Sequence, residues 1–327
     1  MSRKLSIEAL RFFFCIIVCI WHFGAKPNGL LYHGYLAVEF FFILSGYLLY
    51  ASFLHNPKRS IFEYVYGRIK RFYPRIILAL VPLLVLKASE IMNDPYRLVN
   101  EILFVRDLGI FGGGVNDPAW YINILVVGGG ILFAFLKNNE RATVTIILPL
   151  IILFYLTYLF GYMKSETVEA WSVHGPISMV LWRGIIEMSI GVLLFHIQHF
   201  HPFIGKHSGL IFNCLTILSL VSILAIITMR PFRDKYIYIA VAILIYGCMR
   251  EDSWLEKICH HALISNLGSL SLDMYLIHIS VASVASWALK HVSFSPVLGL
   301  FGYLILVIIS AKIFQNIADF LIVHKKQ

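Results

Sequence analysis

The chain has 327 residues, of which 59% are hydrophobic, 15% aromatic and only 14% charged. Soluble domains carry about 25% charged residues; one soluble core cannot hide this much apolar surface, and lipid is the expected solvent. The net charge of +9 does not point to nucleic acid, because the basic residues sit at the ends of apolar segments, as membrane topology requires.

A helix needs ~20 apolar residues to cross the hydrocarbon. Apolar runs predict an all-α, polytopic membrane protein with ten spans, at about 7–24, 34–54, 74–91, 117–136, 143–161, 177–197, 208–228, 235–250, 268–289 and 296–321. The N-terminal run carries Arg11 and His22 and no small-x-small site follows it, so it reads as a span rather than a cleaved signal. An inside N-terminus places Arg3, Lys4, Lys58, Arg59, Arg68, Lys70, Arg71, Arg75, Lys137, Arg141, Lys206, Arg250, Lys257, Lys325 and Lys326 on the cytoplasmic face. Both termini are then cytoplasmic. Arg230, Arg233 and Lys235 run against the bias, as a missed span or a surface for an anionic glycan. The whole length, 1–327, reads as a single transmembrane domain with no fused soluble one.

The first span holds Glu8, Arg11 and His22 in one apolar helix. Ionisable groups inside a membrane are costly and by default mark a functional site. Arg11 and His22 are eleven positions apart, on nearly one face and ~16 Å apart along the axis. Glu8, three residues before Arg11, is placed to pair with it. The stripe Glu8–Arg11–Cys15–Cys19–His22 is expected to line a continuous passage.

The second span opens with Gly34 and carries Glu39 about one turn inside, at the depth of His22. Glu39 is the expected partner that orients the imidazole. Ser45-Gly46 further on reads first as a packing notch. Residues 57–73 mix aromatic and basic side chains, as an interfacial helix does, and serve either as a lipid anchor or as a ligand site. Gly112-Gly113-Gly114 ends the long external loop, and Gly128-Gly129-Gly130 predicts close helix packing inside the fourth span. In the sixth span Arg183 and Glu187 are four apart and should pair. His196, His199, His201 and His207 cluster in a turn and read as solvated, with no metal expected. The five cysteines form no external pair, and no disulfide is expected.

Together these residues carry a resemblance. Arg11 with ten residues before His22, the run Val38-Glu39-Phe40-Phe41-Phe42-Ile43-Leu44-Ser45-Gly46-Tyr47-Leu48, Arg68-Ile-Lys70-Arg71-Phe-Tyr73-Pro74, Pro118-Ala-Trp120-Tyr121 and Gly268-Ser-Leu-Ser271-Leu-Asp-Met-Tyr275-Leu-Ile-His278 resemble, in order, motifs of the membrane acyltransferase-three family. Three departures stand out. Glu39 replaces an Asp, Leu272 replaces a Tyr, and Trp120 is followed by Tyr-Ile-Asn-Ile rather than by Ser-Leu and a Glu.

The resemblance implies a multi-pass enzyme of the bacterial plasma membrane. It would move an acyl group from cytoplasmic acyl-CoA, acetyl-CoA first, to a hydroxyl of a polysaccharide or glycolipid. His22 is the expected general base, since imidazole titrates near working pH, with Glu39 and Arg11 completing the catalytic set. Arg11, Arg68, Lys70, Arg71 and Tyr73 are the expected donor-binding residues, because clustered cations favour phosphate. Glu8, Ser45, Trp120, Arg183, Tyr275 and His278 are supporting candidates. Direct transfer and an acyl-histidine intermediate both stay open. A glycan or lipid flippase is the competing class, and it would predict inverted repeats or matched broken helices, which the sequence lacks. The sugar, its hydroxyl and the oligomeric state are not specified by these motifs.

Overall fold

The structure is a computed structural model that describes residues 4–24, 26–27, 29–108, 112–161, 173–174, 177–203, 205, 207–229, 234–259, 261–291 and 295–324. Arg3, Lys206, Arg230, Arg233, Lys325 and Lys326 lie outside the described residues. Among the described residues thirteen α-helices follow in chain order: α1 Leu5–His22, α2 Ala37–His55, α3 Ile61–Leu86, α4 Ala88–Asn93, α5 Tyr96–Ile102, α6 Trp120–Ala142, α7 Leu148–Gly161, α8 Met179–Phe200, α9 Ser208–Thr228, α10 Ile237–Met249, α11 Trp254–Ile258, α12 Ala262–His291 and α13 Pro296–His324. Among the described residues the only strands are Val173–His174 and Ile177–Ser178, paired antiparallel. The all-α reading holds.

Seven helical stretches among the described residues are long and apolar enough to cross a membrane. One of them, Asp117–Tyr158, contains two of the expected spans. Asn139 leaves the helical region there (φ −153°, ψ 91°). The turn is fixed by Thr143, whose hydroxyl donates to the carbonyls of Phe135 and Asn139. The expected 235–250 span is the 13-residue α10, ~20 Å long and short for the ~30 Å hydrocarbon.

The expected break at Pro74 does not occur. The interfacial segment and the third span form one 26-residue helix, α3, with Pro74 and Pro82 inside it. Its start is set by a capping box: Ser60 Oγ accepts from the Glu63 N–H at 3.1 Å, and Glu63 Oε2 accepts from the Ser60 N–H at 2.7 Å. Tyr64, Phe72, Ile76, Ala79, Leu80 and Leu83 are buried along it. That spacing of three to four keeps one apolar stripe running through the proline.

Glycines set the closest helix contacts. Gly46 on α2 lies under the carbonyl of Met188 on α8, and Gly191 on α8 lies under the carbonyl of Ile43 on α2. A Cβ at either position would fall in space already filled by backbone, so α2 and α8 approach as only small residues permit. The Ser45-Gly46 notch is therefore a packing site. Gly128 meets Met188 and Ile185 of α8, while Gly129 and Gly130 meet Tyr64 and Val65 of α3. The triple glycine thus packs α6, which is helical through those three residues, between two neighbours. On the other side of the bundle α1 lies against α12, where Gly268 abuts Glu8. All five cysteines are free.

Candidate active site

Among the described residues, two cavities bring together the candidate site residues. The first is about 120 Å³ and is lined by Arg11, Arg68 and Arg71, with Phe41, Ser45, Phe72, Tyr121, Ser271, Leu272 and Tyr275 among the other walls. Four helices supply its charge and polarity: α1 gives Arg11, α3 gives Arg68 and Arg71, α2 gives Ser45 and α12 gives Ser271. Arg11 is held by Glu8, with Nη1 3.2 Å from Oε1, as their spacing on α1 predicts. Ser45 and Tyr121 hydroxyls are 3.4 Å apart. The Ser271 hydroxyl is buried and has no hydrogen-bond partner among the described residues. An unsatisfied buried hydroxyl is unfavourable unless a ligand or water takes it up.

One turn beyond Arg71, Arg75 is buried between two carboxylates. Nε lies 2.8 Å from Asp273 on α12, and Nη2 lies 2.6 Å from Asp319 on α13. This pairing ties three helices together beside the basic cavity. Lys70 and Tyr73 do not join it. Lys70 is exposed, and Tyr73 stacks on Phe104 at 6.1 Å, because positions 70 and 73 fall on other faces of α3 than 68 and 71.

The second cavity is about 360 Å³. It is lined by Trp21, His22, Tyr35, Val38, Arg106, Asp107, Gly113, Asp117, Pro118, Trp120, Arg183 and Tyr275. His22 Nδ1 lies 3.0 Å from the carbonyl of Val18, one turn back on α1. It also lies 3.2 Å from Nε2 of His278 on α12. His278 Nδ1 is 2.7 Å from the Tyr275 carbonyl. A carbonyl only accepts, so each Nδ1 carries the proton. His278 Nε2 is then an acceptor for His22, and His22 Nε2 keeps its lone pair. That is the tautomer a general base requires.

Glu39 does not orient His22. It is fully buried and pairs with Arg183 Nη2 on α8, whose Nε lies 2.9 Å from Glu187 Oε1. The Arg183–Glu187 pair follows the four-residue spacing. The expected His22–Glu39 contact fails because α2 directs Glu39 at α8, its closest neighbour through Gly46 and Gly191. Arg183 also lies 5.9 Å over the Trp120 ring.

The wall of this cavity includes a connection that the sequence did not single out. Glu101 Oε2 accepts from the N–H groups of Val115 (2.7 Å) and Asn116 (2.8 Å). Arg106 Nη1 lies 3.3 Å from the same oxygen and donates to the Asn116 carbonyl at 2.6 Å. Burial pushes the Glu101 carboxyl above its ordinary range, and Arg106 and the two N–H groups offset part of that. Asn116 Nδ2 donates to the Leu276 carbonyl of α12 at 3.0 Å. Gly114 sits against Glu101 and Arg106, where a Cβ would collide. The third glycine of the triplet thus serves a close approach. The signal for this cluster was the adjacent Arg106-Asp107 pair before that triplet.

Cys15 and Cys19 do not line a passage. Both are fully buried: Cys15 Sγ lies 3.1 Å from the Ser271 carbonyl, and the Tyr303 hydroxyl donates to the Cys19 carbonyl at 3.2 Å. The middle of the α1 stripe is sealed by α12 and α13, and Tyr275 is common to the walls of both cavities. The expected continuous passage is therefore two chambers. Of the histidine cluster, His196 lies 3.3 Å from the Tyr50 hydroxyl, which donates to Glu140 at 2.6 Å.

A bundle of apolar helices enclosing a polar chamber lined by His22 and a cationic one defines a multi-pass membrane protein. The sequence profile of the acyltransferase-three family, described as an acyltransferase domain, matches residues 4–314, and the chain belongs to that family of membrane acyltransferases. Comparison with curated proteins and with solved structures finds no match.

Proposed function

We propose that the protein transfers a short acyl group, acetyl first, from acyl-CoA to a hydroxyl of an extracytoplasmic polysaccharide or glycolipid in the bacterial plasma membrane. The observation that carries this reading is the pair of chambers, cationic on one side of Tyr275 and base-bearing on the other. The basic end faces the cytoplasm, and Arg11, Arg68 and Arg71 hold the anionic donor. Phosphate buried in lipid without partners is very costly, so the nucleotide stays at this end while the pantetheine arm reaches inward. The Ser271 hydroxyl is available to a polar group of that arm.

The acceptor enters the His22 chamber, where Trp21, Tyr35 and Trp120 offer ring faces and Asp117 a carboxylate. His22 Nε2 takes the proton of the acceptor hydroxyl. The oxygen attacks the thioester carbonyl, the new C–O bond forms and the C–S bond breaks. The imidazolium returns the proton to the departing thiolate, giving free CoA and the ester. Arg106 and Arg183 line the chamber in which the carbonyl oxygen gains charge, and fixed cations there stabilise it.

The test is release of free thiol from acetyl-CoA by purified protein given a glycan acceptor, for wild type and His22→Ala. Removal of a general base typically costs ~10²–10⁴-fold. Wild-type turnover by well-folded His22→Ala protein overturns the role of His22. Absence of thiol release by wild type, with a glycan or lipid moved across the bilayer instead, favours a flippase.

A further inference from the structure

Among the described residues Tyr275 is the only one that lines both the cationic chamber and the His22 chamber. Its ring sits on α12 midway between Ser271, which lines the first, and His278, which touches His22. It is 5% exposed and packed on both sides. The Tyr121 ring meets it edge-on at 5.4 Å, Phe41 is 6.5 Å away and His278 is 5.9 Å away. Tyr121 and Phe41 themselves line only the cationic chamber. On that side the space is about 120 Å³. The His22 chamber beyond is about 360 Å³. The chamber of Arg11, Arg68 and Arg71 is thus the narrower of the two, and the Tyr275 ring is common to both walls.

We infer that Tyr275 is the septum between the two chambers and the size filter for the acyl group, restricting the donor to short acyl chains of two to four carbons. This deepens the proposed acyl transfer and rests on it for the identity of the cargo, but not for the septum. The physical argument is steric. A thioester held by Arg11, Arg68 and Arg71 reaches His22 only by passing the Tyr275 ring. The ring turns about two side-chain torsions without disturbing α12, whose backbone at that turn is fixed by the Tyr275 carbonyl bond to His278 Nδ1. An acetyl group clears the rotated ring, while a longer chain also has to displace Phe41 and Tyr121, which are anchored by Phe40, Phe42 and Ser45. Close-packed interiors resist such expansion.

The experiment has one arm that is independent of catalysis. Val38, 5% exposed, lines the His22 chamber only. Full-length protein carrying Val38→Cys is placed in inverted membrane vesicles. It is treated from the face bearing Arg68 and Arg71 with sulfonatoethyl methanethiosulfonate, and labelling at position 38 is read by peptide mass spectrometry. Adding Tyr275→Ala should raise the labelling rate about tenfold or more, as expected when a steric barrier is removed, while Tyr275→Phe, which keeps the ring, should not. Tyr275→Leu serves if the Ala variant does not retain the thermal transition of its parent. Equal labelling with and without the ring in folded protein overturns the septum. In the second arm, the ratio of kcat/KM for hexanoyl-CoA to that for acetyl-CoA should rise more than tenfold in Tyr275→Ala, within the range of ~10–200-fold that one methylene commands in a pocket, and stay put in Tyr275→Phe. An unchanged ratio overturns the filter. If wild type transfers from neither donor, acyl transfer falls and the filter with it, while the labelling still decides the septum.

Discussion

His278 Nε2 lies 3.2 Å from His22 Nδ1, across the α1–α12 contact. Because the Tyr275 carbonyl holds the proton on His278 Nδ1, His278 presents a lone pair to His22 and shares the Nδ1–H with the Val18 carbonyl. In the proposed reaction this contact makes His278 the residue that would hold the tautomer and ring plane of His22.

Removing that acceptor should lower kcat while leaving donor KM near wild type. We expect His278→Leu to lose up to ~10²-fold, the order seen when a catalytic group is misplaced by ~1 Å. His278→Gln, which keeps an acceptor, should recover a large part. Steady-state kinetics of both variants checks this. Equal loss in both, with matching thermal transitions, would leave His278 as packing.

The donor chamber gives a complementary expectation. Arg68→Ala with Arg71→Ala should raise KM for acyl-CoA with little change in KM for the acceptor. Arg11→Lys should weaken donor use despite keeping the charge, because Lys lacks the planar fork of donors that Arg offers. Direct CoA binding by calorimetry separates this from folding. A loss confined to acceptor binding would reverse the placement of the two substrates.

The buried Glu39–Arg183–Glu187 cluster predicts a large stability effect. Taking away one member of a buried ion pair typically costs ~3–5 kcal/mol, because its partner stays buried and uncompensated. Arg183→Met strands two carboxylates, and Glu39→Gln strands none, since Glu187 still holds Arg183 at 2.9 Å. Thermal unfolding in detergent should therefore rank Arg183→Met well below Glu39→Gln. Adding both Glu→Gln changes to Arg183→Met should restore much of the loss. A smaller effect for Arg183→Met than for Glu39→Gln would contradict the arrangement.

Local contacts were legible in the sequence and distant ones were not, for a physical reason. Glu8–Arg11 and Arg183–Glu187 are three and four apart, the spacing that brings helical side chains together, and both pairs form. The gathering of Arg11, Arg68 and Arg71 was also anticipated from their charge at one membrane face. Glu39 was expected beside His22 because both lie at one depth. Depth says nothing of azimuth, and the Gly46–Gly191 contact turns Glu39 to α8. His22 finds its partner 256 positions away, and only the packing of α12 on α1 brings it there. Asp273 hid inside an apolar motif, and Glu101 inside a loop, until Arg75 and Arg106 were seen to reach them. The apolar run 74–91 predicts a helix that begins at Pro74. The capping box at Ser60 and the stripe through Phe72 and Ile76 override it.

The final prediction concerns pH and the start of α1. Lys4, at the N-cap of α1, offers no side-chain acceptor to the helix. That task falls to Glu256 on α11. Its Oε1 accepts from the Leu5 N–H at 3.0 Å, and its Oε2 accepts from the Ser6 N–H at 2.8 Å and the Ser6 hydroxyl at 2.6 Å. A carboxylate at a helix N-terminus satisfies orphan N–H groups and meets the positive end of the helix dipole. Partial burial raises the Glu256 carboxyl, but the Ser6 hydroxyl and the two N–H groups outweigh it, so the group titrates below its ordinary range. The sign follows: the folded state binds the proton less readily than the unfolded chain, whose carboxyl titrates near ~4.3. The stabilisation is present above that value and is lost as pH falls through the lower, folded value. Glu256→Gln should cost ~0.5–2 kcal/mol at pH 7, the usual worth of an N-cap acceptor. The gap between the thermal transitions of wild type and Glu256→Gln in detergent should then close as the pH is lowered from 7 to 3. A gap of the same size at both ends of that range would mean that the carboxylate charge contributes nothing to holding α1 in place beneath the Arg11 chamber.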